Sequence, residues 1–280
     1  MSMQIIVFSK RFAAKSLNEL TDLALQYGFG GYDLCVRPGH AVTPENAAEK
    51  LPEAVTLMKG AGLSLPMVTG HFDLLYPDHP TAEPILKAMD KAEVRLLKLG
   101  YFQFDPLRQD YWQEVESIRR AFAGWQALGR KYQVKICYHT HSARYMGLNC
   151  GMLAHLIEGC DPQYIGAYVD PAHMVVEGEE FSVGVAIVKK YLSMVGLKDV
   201  LLSREVKSGH GKAGVKWVPA GEGMVDWTAV FAELARIGFA GPLSVHCEFE
   251  VPDTESLSVL QREIQFFRQH LKLVAQSSPG

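Results

Sequence analysis

The sequence carries no surplus of either charge. Its 28 lysines and arginines stand against 31 aspartates and glutamates in 280 residues, a net charge of -3, with a pI near 6.4. With no basic stripe, nothing electrostatic invites nucleic acid or an anionic membrane surface, and small neutral or anionic ligands remain the open class. Long apolar runs are lacking too. The N-terminal M-S-M-Q-I-I-V-F-S-K has about five consecutive apolar positions, far short of the roughly 20 of a membrane span or of a signal segment. The expectation is a cytoplasmic chain with no membrane partner. Cysteine is scarce: Cys35, Cys137, Cys150, Cys160 and Cys247 are odd in number and scattered. Such usage fits reduced core thiols and excludes a disulfide framework. A dinucleotide fold would want a glycine fingerprint after its first strand, and F-S-K-R-F-A-A-K-S has none. The only G-x-G-x-x-G string, Gly209 to Gly214, has no predicted helix behind it.

What is present is an ordinary globular composition, 48% hydrophobic and 21% charged, long enough to bury a large core. Short β-rich runs are predicted over Gln4 to Phe8, Tyr32 to Val36, Leu63 to Thr69, Leu96 to Gly100, Val134 to Ser142, Ile165 to Asp170, Met194 to Asp199 and Leu243 to Phe249. Helical spacing separates them, over Ser16 to Tyr27, Thr43 to Gly60, Glu83 to Glu93, Tyr111 to Tyr132, Gly147 to Ile157, Phe181 to Leu192 and Trp227 to Ile237, with a last helix over Glu255 to Val274. Pro52 is expected to divide the second helix, and Trp112, Phe122 and Trp125 to share the buried side of the fourth. Val200 to Trp217 reads as the longest irregular segment, rich in Gly and in lysines (Lys207, Lys212, Lys216). It is either a solvated loop or one that moves over a ligand. Gln276 to Gly280 should fray. Eight units of about 35 residues each fit a single-domain (β/α)8 TIM barrel over residues 1–280 better than a doubly wound sheet.

In such a barrel the chemistry sits where strands end. V-K-I-C-Y-H-T-H-S places His139 and His141 two apart, on one face of the fifth strand. The other strand ends carry Lys10, Arg37, His71, Tyr101, then Asp170 with His173, Lys198 with Asp199, and His246 with Glu248. Any single polar exit is expected, because every strand must surface, but the concentration on the fifth to eighth strands marks a site.

These motifs carry a resemblance. The eight βα units, the H-x-H on strand five, D-P-A-H on six, L-K-D on seven, P-A-G-E-G-M-V-D-W and G-P-L-S-V-H-C-E-F resemble the xylose isomerase-like barrel superfamily of sugar phosphate isomerases and epimerases. D-L-C-V-R-P-G-H is similar to a subgroup of sugar isomerases within it. The resemblance covers nearly the whole chain. It implies one divalent metal held by Glu, Asp, His and Glu from strands five to eight; such relatives often pair through barrel helices, which leaves a homodimer open. Asp170 matches its position and His173 matches a substrate-contacting His. His139 and His246 stand where Glu is expected, and Gly196 where the seventh-strand His is expected.

The replacement set is then His139, Asp170 and His246, two imidazoles and a carboxylate suited to Mn, Co or Zn rather than Mg. Glu248 is the expected base or a fourth ligand, with His139, His246 and Lys198 in catalytic roles. Lys198 would steady an enediolate oxygen. Arg37, His71, Tyr101, His141 and His173 are the expected carbohydrate contacts; the plainer alternative is that the histidines bind sugar hydroxyls with no metal. The implied reaction is sugar isomerisation or epimerisation. A lyase or dehydratase on a keto-sugar or inosose is second, supported by the H-x-H. A non-catalytic sugar-binding barrel and an apurinic endonuclease are minor alternatives, the last opposed by charge and by the missing seventh-strand His.

Overall fold

In the computed structural model, which describes residues 3–207 and 209–277, the β-branched and aliphatic runs form parallel strands. These are β1 (Gln4–Phe8), β2 (Gly31–Cys35), β3 (Ser64–Thr69), β4 (Leu96–Lys98), β5 (Lys135–His139), β6 (Ile165–Val169), β7 (Leu192–Leu197) and β10 (Pro242–Val245). They close in the order β1-β10-β7-β6-β5-β4-β3-β2, the (β/α)8 barrel expected. Strands buried on both faces read as continuous apolar runs rather than alternating ones, which is why their existence was legible and their facing was not.

The outer faces pack beneath helices that include α1 (Leu17–Tyr27), α2 (Ala47–Gly60), α3 (Ala82–Lys91), α4 (Tyr111–Tyr132), α5 (Cys150–Ile157), α8 (Trp227–Arg236) and α9 (Asp253–Ser277). Ser16 and Glu19 form a capping box at the start of α1, satisfying backbone donors that would otherwise be orphaned. Inside the barrel, Ile6, Met67, Cys137, Tyr168 and Met194 make a separate buried cluster. Two residues further along, the same inward faces turn polar: Thr69 after Met67, His139 after Cys137, Asp170 after Tyr168. The barrel is therefore sealed by a hydrophobic plug and capped by a polar layer at its C-terminal mouth.

Several expectations are corrected. Val200 to Trp217 is not irregular: β8 (Asp199–Lys207) and β9 (His210–Val218) form an antiparallel hairpin outside the barrel. Its strands are largely exposed, so no continuous apolar run announced them. Trp112 is 65% exposed, whereas Phe122 and Trp125 are fully buried. α2 runs through Pro52, held by the buried Leu51, Ala54 and Met58 against the loss of one helical hydrogen bond. Thr43 does not begin that helix; it exchanges hydrogen bonds with Asn46 in the preceding turn. Between β6 and α7 (Phe181–Val188) lies a further helix, α6 (Pro171–Glu177). α9 continues to Ser277, past the predicted fraying point, and the rest of that tail lies outside the described residues.

Candidate active site

The C-terminal ends of the strands converge on one cleft, lined among others by Lys10, Arg37, Lys98, Tyr101, Lys198, His246 and Glu248. Its centre is an ion-pair relay. Lys198, one residue past β7, donates to Glu248 Oε2 at 2.8 Å and lies 3.5 Å from Asp170 Oδ2. Lys10 donates to the other Glu248 oxygen, also at 2.8 Å. Asp170, one residue past β6, caps α6, its Oδ1 accepting from the backbone N–H groups of Ala172 and His173 with Pro171 at the first helical position. That leaves Oδ2 buried, facing the mouth and without a hydrogen bond. Burial opposes charge on both members of the Lys198–Glu248 pair, yet their mutual attraction outweighs it. The Lys198 ammonium is held above its ordinary value by Asp170 and Glu248, and Glu248 is held well below the carboxylate range by Lys198 and neighbouring groups.

Around this relay stand neutral imidazoles. His139 Nδ1 pairs with the Tyr101 hydroxyl at 2.6 Å, and its Nε2 lies 3.4 Å from Asp170 Oδ2 with no hydrogen bond. His246 Nε2 pairs with the Tyr168 hydroxyl at 2.7 Å. His173 Nδ1 pairs with Ser142 Oγ at 2.7 Å, and its ring lies against His141, tilted by 37° with centroids 3.9 Å apart. Burial pushes His139 and His173 well below the usual imidazole value, His141 to about 4 and His246 to about 3. None carries charge at neutral pH.

The structure thus brings together Arg37, Tyr101, His139, His141, Asp170, His173, Lys198, His246 and Glu248. His71 is not brought in: its Nε2 pairs with Thr81 at 2.8 Å and its ring packs on His79. The chain leaves β3 at Gly70, whose N–H bonds Lys98 O, so the inward face ends at Thr69. Asp199 also turns away. It accepts from the N–H groups of Val200, Gly221, Gly223 and Val225 and from Trp227 Nε1, which ties G-E-G-M-V-D-W to β7. A Cβ on Gly223 would overlap Asp199 Oδ1, so glycine is required there.

Four contributors went unassigned from sequence. Lys98 is 3% exposed, its ammonium 3.7 Å from the Tyr101 ring centroid, and burial followed by the Arg37 charge holds it well below the usual lysine value. A lone lysine in L-L-K-L-G was the available signal. Asp33, bonded by Thr69 and Ser244 hydroxyls inside the barrel, is pushed up to about 6 by burial. Lys10 needed the Glu248 contact to acquire a place. Trp217, from the hairpin, covers Lys198 at 4.5 Å and His173 at 5.0 Å; nothing local in the sequence pointed to it.

The donors do not fit the expected metal set. His246 Nε2 is engaged by Tyr168 and its nearest carboxylate is Asp33, 4.0 Å away. The space between Asp170 and Glu248 holds the Lys198 ammonium. Gly196 offers no side chain, and a Cβ there would sit 2.9 Å from Asp170 Oδ2. Among the described residues no three His, Cys, Asp or Glu side chains are arranged to share an ion. As placed, His139, Asp170 and His246 do not form a ligand trio.

A closed parallel barrel with polar groups gathered at its strand ends defines a (β/α)8 architecture. The family model for the xylose isomerase-like TIM barrel matches residues 21–270, and the chain belongs to that family. No curated protein matches it significantly in sequence. Among solved structures, it is similar to 3-keto-D-glucoside 4-epimerase, YcjR, from E. coli, with a TM-score of 0.76, 13% identity and coverage of 96% of this chain and 100% of that one. It is also similar to D-psicose 3-epimerase from Clostridium cellulolyticum H10, TM-score 0.72, 15% identity, covering 96% and 99%. The probable 3-DHS dehydratase AsbF from Bacillus anthracis gives a TM-score of 0.71 at 13% identity, covering 95% and 99%. At these identities the likeness establishes the fold.

Proposed function

We propose that the protein is a sugar isomerase or epimerase that removes a proton from the carbon beside a carbonyl and returns it through an enediolate. The observation that supports this reading is the Lys10–Glu248–Lys198 relay beside the neutral His139 and His246. An ionised carboxylate and a fixed ammonium share one small cleft, as a proton acceptor and an oxyanion donor must. Paired to two ammoniums, Glu248 is a weak base. When Lys198 turns toward the negative charge developing on the substrate oxygen, its hold on Glu248 loosens and the carboxylate takes the proton. Arg37, Lys98, Tyr101 and His141 line the cleft for hydroxyl or anionic groups of the sugar, and His173, lying against His141, adds a neutral donor or acceptor.

The cleft is small, about 60 Å³ against the roughly 300–1,000 Å³ of ordinary ligand sites. A second hollow of about 240 Å³ lies behind Phe8, Lys10 and Glu248, so movement of the Lys10–Glu248 pair is the expected route to a full-sized site. The test is incubation with ketoses, keto-glycosides and inososes in heavy water, read by NMR and mass spectrometry. Deuterium at a carbon beside the carbonyl, with the carbon skeleton and its oxygens conserved, is the expected result. Loss of water instead makes the protein a dehydratase, and no exchange with any of them refutes the reading.

A further inference from the structure

We infer that the cation of this centre is built into the chain: the Lys198 ammonium, held between Asp170 and Glu248, supplies the positive charge for which the family resemblance implies a divalent metal. The role of Lys198 as electrophile rests on the reaction proposed above, whereas its place in the cation site depends on no substrate.

The two carboxylates that approach a common point, Asp170 Oδ2 and Glu248 Oε2, meet at Lys198 Nζ, at 3.5 and 2.8 Å. An ammonium has three donors in a tetrahedral fan. One is given to Glu248 Oε2, Asp170 Oδ2 stands at ion-pair distance without a hydrogen bond, and Lys198 lines the cleft, where donors remain for a ligand. The lysine is 3% exposed and its charge lies 4.5 Å from the centroid of the Trp217 ring, a contact that stabilises a desolvated cation. Charge is already matched around Glu248 and Asp170 by Lys10 and Lys198. A divalent ion at the same point would stand against Lys198 at contact distance, where like charges in a shielded site repel by several kcal/mol.

The rest of the chain agrees. Asp170 has committed Oδ1 to the α6 N-terminus. His246 has committed Nε2 to Tyr168. Strand β7 supplies glycine at the ligand position, where a side chain would collide with Asp170 Oδ2. The departure on strand seven is Gly196, which supplies no ligand, while Lys198, two residues later, brings its ammonium to Asp170 and Glu248.

The experiment is a Mn2+ titration of the full-length protein, read by the paramagnetic resonance of free Mn2+ and by thermal denaturation with and without the ion. The parent should bind no stoichiometric Mn2+ at concentrations up to about 1 mM. Lys198→Met keeps the stem against Trp217 but leaves the two carboxylates without their cation. It should bind one Mn2+ at least about tenfold more tightly than the parent, and Asp170→Asn in the same chain should abolish the gain. Lys198→Gln serves if the Met variant misfolds. One equivalent of Mn2+ bound by the parent and lost in Asp170→Asn overturns the inference, as does a folded Lys198 variant with no gain. In heavy water, any exchange by the parent should survive chelation; loss with restoration by Mn2+ also overturns it. Absence of exchange with every sugar defeats the proposed reaction and leaves the titration to decide the cation site.

Discussion

Replacing Glu248 by Gln removes one charge and almost no volume at the point where two lysines meet. The Lys10 pair has a lysine side chain 48% exposed, and a pair of that kind contributes at most about 1 kcal/mol. The Lys198 pair is more shielded, with side chains 3% and 24% exposed, and losing it leaves a buried ammonium held only by Asp170 at 3.5 Å. Breaking one charged hydrogen bond of this type costs about 2–3 kcal/mol. The total, about 3 kcal/mol, corresponds to a drop in Tm of roughly 5 °C for a chain of this size. Removal of a general base should lower turnover by about 10²–10⁴-fold. Thermal denaturation and the rate of deuterium incorporation read the two effects separately. A variant that exchanges at the parent rate removes Glu248 from the mechanism, and an unchanged Tm refutes the relay as a structural tie. A cycle with Lys10→Met should show coupling of no more than about 1 kcal/mol.

Asp199→Ala should lower stability by about 3–5 kcal/mol, since four backbone donors and the Trp227 indole lose their acceptor; urea unfolding checks it, and a loss under 1 kcal/mol would refute the role. Gly196→Ala, with its Cβ 2.9 Å from Asp170 Oδ2, should cost about 1–3 kcal/mol by overpacking, and equal melting of parent and variant would show that Asp170 can yield. In acid, the unfolded chain protonates its imidazoles from pH 6.5 downward while the fold keeps them neutral, so stability should fall as pH drops from 6.5 toward 4. His141 alone, at about 4 against 6.5, accounts for about 3 kcal/mol of that loss. Glu263 acts in the opposite sense: burial pushes it up from 4.5 to about 8, so it stays protonated in the fold and stability falls as pH rises across that window. Urea midpoints against pH should show both slopes, with the alkaline one removed in Glu263→Gln; a pH profile identical to the parent's refutes the Glu263 assignment.

The barrel was written locally. Runs such as Q-I-I-V-F and Y-I-G-A-Y-V can bury both faces only in a parallel sheet covered by helices, and the intervening helical spacing supplies that cover. The polar residues at the strand exits were legible for a related reason, because the end of an apolar run marks where the chain leaves the barrel: His139 closes β5, and His141, His246 and Glu248 follow strand ends. Partnership was not legible. Whether His246 faces Asp170 or Tyr168, whether His71 reaches the mouth, and whether Lys198 meets Glu248 fifty residues away depend on the register and tilt of strands far apart in the chain. Local sequence has no term for these. The hairpin shows the same limit from the other side. Its strands are stabilised by each other and face solvent, so no hydrophobic period marked them, and Trp217 acquires its place over Lys198 only when the hairpin folds back on the barrel. The sequence alone therefore determined the scaffold and its complement of acid, base and cation. Tertiary structure decided which of them touch, because through-space charge and steric contact, not spacing along the chain, select the partners.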